Sequence, residues 1–305
     1  MIPLHETFEG TFPFAPNVFD GHGFVQHYVD EGPAGAEPVI CLHGEPTWGY
    51  LYRNLIGPLS RHNRVVVPDH MGFGKSETPR DRSYVLQTHV ENLAALIDHL
   101  ELNDITFVGQ DWGGVIATQY TVRHPDRVKR MVYANSLAGY GRVSDDVPQI
   151  SDSPWFRWIG EGLATGRTEQ VLRNIGSTVL SVMKIIGFRN SAAVDDTWIR
   201  AYSAPFPDPD SAIGAYEFPV DAYLGRIRDY VIEGAAGVPE LTSKAAILLE
   251  GMEDRAIPPA RAIADFRSLW PYAPVVEMAG VGHFCQEDAP EILVTNITQF
   301  LQANP

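Results

Sequence analysis

The chain has 305 residues, 45% of them hydrophobic and 20% charged, an ordinary balance for one large core or a core with an inserted subdomain. A formal net charge of −15 and an isoelectric point near 5.0 argue against nucleic acid or anionic membrane surfaces as partners. Two cysteines, Cys41 and Cys285, sit in apolar company and speak against a disulfide framework, and no uncharged apolar run approaches the roughly 18 residues of a membrane span.

The first residues, MIPLHETFEGTFPF, lack a basic segment followed by an apolar run, so a cytoplasmic location is expected. A strand is expected over 24–29, with Asp30, Glu31, Gly32 and Pro33 as its turn. A short buried strand over 39–42 and a helix over 50–59 follow. Val65, Val66 and Val67 make the next strand, ended by Pro68. Val90, Leu93, Leu96, Ile97 and Leu100 recur at helical spacing and give one apolar face. His89, His99 and His124 are expected on solvated helix faces. A strand over 105–109, a helix over 115–124 and a strand over 128–134 continue the alternation. From 137 to 218 the pattern changes to helical pieces and loops, including the proline-rich APFPDPD. Strands over 246–249 and 275–278 and helices over 259–270 and 290–302 then restore it. Alternating strands and helices imply a mostly parallel sheet covered on both faces. The expected architecture is an α/β core (residues 1–136 and 219–305) interrupted by a helical cap (residues 137–218).

In such sheets ligands bind at the carboxyl ends of the strands. Those ends carry HGEPTWGYLYR, PDHMGFGKS, GQDWGG, EGMEDRAIP and AGVGHFCQED. The GKS is no phosphate loop, because Asp69 stands where that motif needs its first glycine. Asp111, Asp254 and His283 fall at three of these ends in the order nucleophile, acid, histidine, which is the order of an α/β hydrolase. A serine attacking saturated carbon would leave an ether the enzyme could not cleave. A carboxylate leaves an ester whose carbonyl lies on the protein, open to water. Asp111 is therefore the expected nucleophile and His283 the base that activates water. Asp254 is the acid that orients the histidine. The backbone N–H groups of Glu45 and Trp112 are the expected oxyanion donors. The Trp112 indole N–H can donate to a departing halide but cannot protonate an alkoxide. No metal or cofactor is called for.

With LHGEPTWGYLYR, VGQDWGG, GMEDR and GHFCQED on these strand ends, the chain resembles the haloalkane dehalogenases. The resemblance implies the α/β-hydrolase fold, with an eight-stranded sheet and an inserted helical cap. It also implies hydrolytic dehalogenation through an alkyl ester on Asp111, with a small apolar halogenated substrate, water and halide as partners. In that family two donors hold the halide. Glu45, rather than asparagine, matches the branch whose second donor is a cap tryptophan; the SPWFRW segment points to Trp158, with Trp155 as the alternative and Trp198 as a further candidate. Glu45 would also help hold the hydrolytic water. Asn135 stands where another branch has its acid and cannot serve, which leaves Asp254. The alternative enzyme is an epoxide hydrolase with the same Asp-His-Asp set, using cap tyrosines such as Tyr202 and Tyr216. A non-catalytic ligand binder of this fold would be expected to have lost catalytic residues, and here all three are present.

Overall fold

A computed structural model describes residues 2–305. Eight strands form a single sheet: β1 (Asn17–Phe19), β2 (Gln26–Glu31), β3 (Pro38–Leu42), β4 (Arg64–Pro68), β5 (Ile105–Gln110), β6 (Val128–Ala134), β7 (Ala245–Gly251) and β8 (Val275–Met278). Their spatial order is β1-β2-β4-β3-β5-β6-β7-β8. β2 is antiparallel to β1 and β4, and every other pairing is parallel. The chain thus has the α/β-hydrolase fold expected of it.

The central strands are mostly apolar and almost wholly buried because helices cover both sheet faces. Every residue of β3 and β5 is buried. The helix α1 (Arg53–Ser60) packs against β2 and β4, α3 (Trp112–Thr121) packs against β3, β5 and β6, and α2 (Leu86–His99) packs beside α3. Strand β6 leads into the helical segment α4 (Pro154–Leu163), α5 (Arg167–Arg173), α6 (Ile175–Ile186), α7 (Asp196–Ser203) and α8 (Ile213–Tyr223). After α9 (Arg228–Glu233), α10 (Val238–Thr242) and β7, the chain ends with α11 (Pro259–Leu269), α12 (Cys285–Asp288) and α13 (Pro290–Ala303). The cap junction expected at 218/219 falls inside α8, which runs on through Pro219. Among the described residues no helix is long and apolar enough to cross a membrane.

Three other local expectations change. The strand over 24–29 instead runs Gln26–Glu31, held by its register with β4 (Tyr28 opposite Pro68, Glu31 opposite Val65). The helix expected from 115 starts at Trp112, despite the poor helix propensity of Gly113 and Gly114. Close packing explains those glycines: a Cβ on Gly113 would lie 2.0 Å from the Leu42 carbonyl oxygen. His89 is buried rather than solvated, with its ring 4.6 Å from that of Phe218, whereas His99 and His124 are exposed as expected. Its α2 face looks polar only until α8 is laid against it.

Parallel registry aligns the strand ends. Leu42 pairs with Gly109, Gln110 with Ala134, and Ala134 with Leu249. Residues 43–45, 111, 135 and 251–254 therefore emerge along one edge of the sheet, beneath the helical segment.

Candidate active site

Asp111 is the first residue beyond β5 and adopts φ 52°, ψ −122°. An L-residue in that region stores roughly 1–3 kcal/mol of strain. The turn is over-determined: Asp111 N–H donates to the Asn135 carbonyl (3.2 Å), and the Ser136 hydroxyl donates to the Asp111 carbonyl (2.6 Å). On the other side Gly44 leaves room for the carboxylate; a Cβ there would stand 2.2 Å from Asp111 Oδ1. The Glu45 backbone N–H donates to that same oxygen at 2.8 Å. Trp112 N–H, the first amide of α3, has no carbonyl within its own helix to bond.

His283, on the loop after β8, is fully buried. Its Nδ1 lies 2.8 Å from Asp254 Oδ2, while Nε2 faces Asp111 Oδ2 at 3.4 Å, an ion-pair distance without hydrogen-bond geometry. Asp254 in turn accepts from the Ala256 and Ile257 amides (2.7 and 3.0 Å) and from Asn135 Nδ2 (2.9 Å). Asp111, His283 and Asp254 thus stand in one line, hydrogen-bonded at the Asp254 end and in ion-pair contact at the Asp111 end, drawn from residues up to 172 positions apart in the chain.

A cavity of about 470 Å³ opens beside Asp111 and Trp112. Its walls are Val115 and Leu137 from the core side, Ile150, Ser151 and Phe156 from the start of the helical segment, Ala222, Tyr223 and Ile227 from α8 and beyond, and Ile257. Apart from the carboxylate, the indole, Ser151 and the Tyr223 hydroxyl, the lining is hydrocarbon. Such a space fits a small apolar ligand beside Asp111.

Comparison with known proteins agrees with this geometry. Residues 37–159 match the family model described as alpha/beta hydrolase fold. A haloalkane dehalogenase from Psychrobacter cryohalolentis is 34% identical over 92% of this chain and 88% of its own. This chain belongs to the haloalkane dehalogenase family of α/β hydrolases. The structure of haloalkane dehalogenase DpaA from Paraglaciecola agarilytica superposes with a TM-score of 0.73 at 28% identity, covering 94% of this chain and 92% of that one. A protein named cis-3-alkyl-4-alkyloxetan-2-one decarboxylase, from Xanthomonas campestris, is 32% identical over 96% of this chain and 98% of its own.

The cap tryptophans put forward from the sequence can be set against the cavity wall. Neither Trp158 nor Trp155 lines the cavity; the wall residue of α4 is Phe156. Helical phase is the reason: at about 100° per residue, Phe156 can face the cavity only if its neighbour at 155 and the residue two beyond, at 158, turn away. The two indoles stack on each other, with centroids 5.3 Å apart. Trp198 is buried against Phe188 and Tyr202, and its indole nitrogen has no partner among the described residues. Trp112 is the tryptophan on the cavity, its ring stacked on Phe218 at 4.6 Å. The cap tyrosines weighed for epoxide opening are also absent from the wall. Tyr202 donates to Glu287, and Tyr216 lies under the Arg173 guanidinium; the tyrosine at the cavity is Tyr223.

Two buried acids surround the line. Burial and the Asp111 charge push the Glu45 carboxyl well above the usual range, and neither of its oxygens has a partner among the described residues. Glu250, at the end of β7, is raised in the same way by burial and then by Asp254. In both, burial is the larger cause and shifts the acid toward its neutral form. The sequence reading missed Glu250, and it missed that Asn135 and Ser136 hold the acid and the turn. The ANS that ends β6 was the available signal.

Burial alone would lower the His283 pKa, but the Asp254 and Asp111 carboxylates more than offset it and raise it to about 10 from the ordinary 6.5. A pKa raised on folding means stabilisation that is complete below about 6.5 and is lost as pH rises through about 10. Imidazole NMR on the resting protein should therefore show His283 titrating well above neutrality, and Asp111→Ala should bring that titration down. Stability contributed by His283 should fall between neutral pH and pH 10, and a His283→Phe variant should lack that part of the decline.

Proposed function

We propose that this protein hydrolyses haloalkanes to alcohol and halide through a covalent alkyl ester on Asp111. The observation that carries the reading is the two-sided hold on that carboxylate: Oδ1 accepts from the Glu45 amide while Oδ2 faces His283 Nε2, with the Trp112 indole on the adjoining cavity wall. In this reading Oδ2 attacks the carbon bearing the halogen and the bonding pair leaves with the halide, steadied by Trp112 N–H. Ester formation removes the Asp111 charge, so His283 loses one of the carboxylates that keep it protonated and can act as a base. It takes a proton from water as the water oxygen adds to the ester carbonyl, and the amides of Glu45 and Trp112 stabilise the oxyanion on Oδ1. Collapse releases the alcohol and restores the carboxylate. The proton and the halide are the other products.

A second reading has its own support in the decarboxylase relative and in a cavity wall whose indole comes from Trp112 alone. In a four-membered lactone the same Oδ2 could attack the saturated carbon bearing the ring oxygen. The C–O bond breaks to a carboxylate, which then leaves as CO2 while the electrons of its C–C bond form an alkene and expel Asp111. That route consumes no water. Its leaving group is a carboxylate, so it shares with halide departure the lack of need for a proton donor. Epoxide opening needs one, and the wall offers no tyrosine pair.

Purified protein given brominated and chlorinated alkanes should release halide, and given a 3,4-dialkyl oxetan-2-one should release little CO2; the opposite result would favour decarboxylation. Bromide should quench tryptophan fluorescence. Trp112→Phe should weaken that quenching and slow halide release roughly tenfold to a hundredfold, the effect of losing a charge-assisted hydrogen bond. Trp158→Phe should change neither. A loss confined to Trp158→Phe would restore the cap tryptophan as the halide donor.

A further inference from the structure

The end of the GHFCQED motif is not used by the mechanism above, yet it is the most heavily bonded part of the loop. Asp288 joins two segments that are distant in sequence. Its Oδ1 accepts from the amides of Arg189 and Asn190 (3.1 and 2.8 Å), which follow cap helix α6, and its Oδ2 accepts from the Gly282 amide (2.8 Å), immediately before His283. Asn190 Nδ2 adds a bond to the Glu287 carbonyl at 3.0 Å. The segments are in backbone contact as well: a Cβ on Gly187 would lie 3.3 Å from His283 N, and one on Gly282 would lie 1.8 Å from the Gly187 carbonyl oxygen. Glu287 carries the link into the core through Arg53, and Tyr202 of α7 donates to it from the cap.

From this bracket we infer that Asp288 is a positioning residue that couples the cap to the catalytic base, so that the placement of His283 over the ester depends on the seating of residues 187–190. This rests on the reading of His283 as the base for ester hydrolysis. Alkylation of Asp111 needs no base, so loss of the bracket should impair the second step and spare the first. Asp265 makes the comparison sharp. It too gathers three backbone amides, those of Ala138, Gly139 and Gly141 at 2.8–3.1 Å, but it joins β6's exit to α11 and does not touch the histidine loop.

The test is a rapid-mixing measurement of bromide release from 1-bromohexane, with intact-mass analysis of the quenched protein, on wild type, Asp288→Ala, Asp288→Asn, Asp265→Ala and His283→Phe. Asp288→Ala should give a burst near one bromide per enzyme and a later rate lowered roughly tenfold to a hundredfold, the scale of a misplaced catalytic group. The alkyl adduct should accumulate. Asp288→Asn retains one acceptor oxygen and should fall between Asp288→Ala and wild type, which keeps the test open if the alanine variant folds poorly. Asp265→Ala should lower the melting temperature and scale burst and later rate together, with no adduct. If His283→Phe accumulates adduct and both Asp288 variants do not, the coupling is overturned while the reaction scheme stands. If none of them does, the scheme itself fails and the coupling with it.

Discussion

Asp111→Ala is expected to abolish dehalogenation, lowering turnover by roughly 10⁴-fold or more, the scale seen when a covalent nucleophile is removed. The fold should survive. The side chain has one backbone amide donor, from Glu45, and sits at the tip of a turn held by the main-chain bonds of Asn135 and the hydroxyl of Ser136. Loss of one such bond to a charged group is worth roughly 1.5–3 kcal/mol. Halide release and a thermal melt on the same preparation check both halves. Turnover within tenfold of wild type would show that the ester does not form on Asp111.

His283→Phe should separate the two chemical steps. The phenyl ring fills the volume of the imidazole but cannot take a proton, so alkylation proceeds and hydrolysis stops. About one halide per enzyme should appear, and intact mass should rise by the alkyl group. Continued multiple turnover would mean that another group activates water. The same variant discriminates between the substrates considered above, because CO2 loss from an opened lactone needs no activated water and should continue. The cost of the substitution falls on Asp254, which loses one of two partners on Oδ2 but keeps Asn135 there and the Ala256 and Ile257 amides on Oδ1. A folded variant is therefore expected.

The three residues were legible in the sequence because each follows an apolar run and a glycine: ITFVG before Asp111, AILLEG before Asp254 and VVEMAGVG before His283. That placed Asp111, Asp254 and His283 on the correct edge without knowledge of any distance. β1 went unread because three residues at a sheet edge, Asn17–Phe19, carry no periodicity to detect. His89 looked solvated because helical periodicity records only one buried stripe, while α2 is covered on a second side by α8.

The sequence by itself determined the fold class and the chemistry available at the strand ends, since both follow from local patterns: alternation of elements, a carboxylate in a glycine-lined turn, and an indole beside it. Only the tertiary structure decided which cap side chains meet that carboxylate. Trp155, Phe156 and Trp158 are consecutive or nearly so in one helix, and the rotation of α4 about its axis chose Phe156 for the cavity. That rotation is set by packing against α5, α6 and α8, the last some 60 residues away, an interaction that leaves no mark in either segment alone.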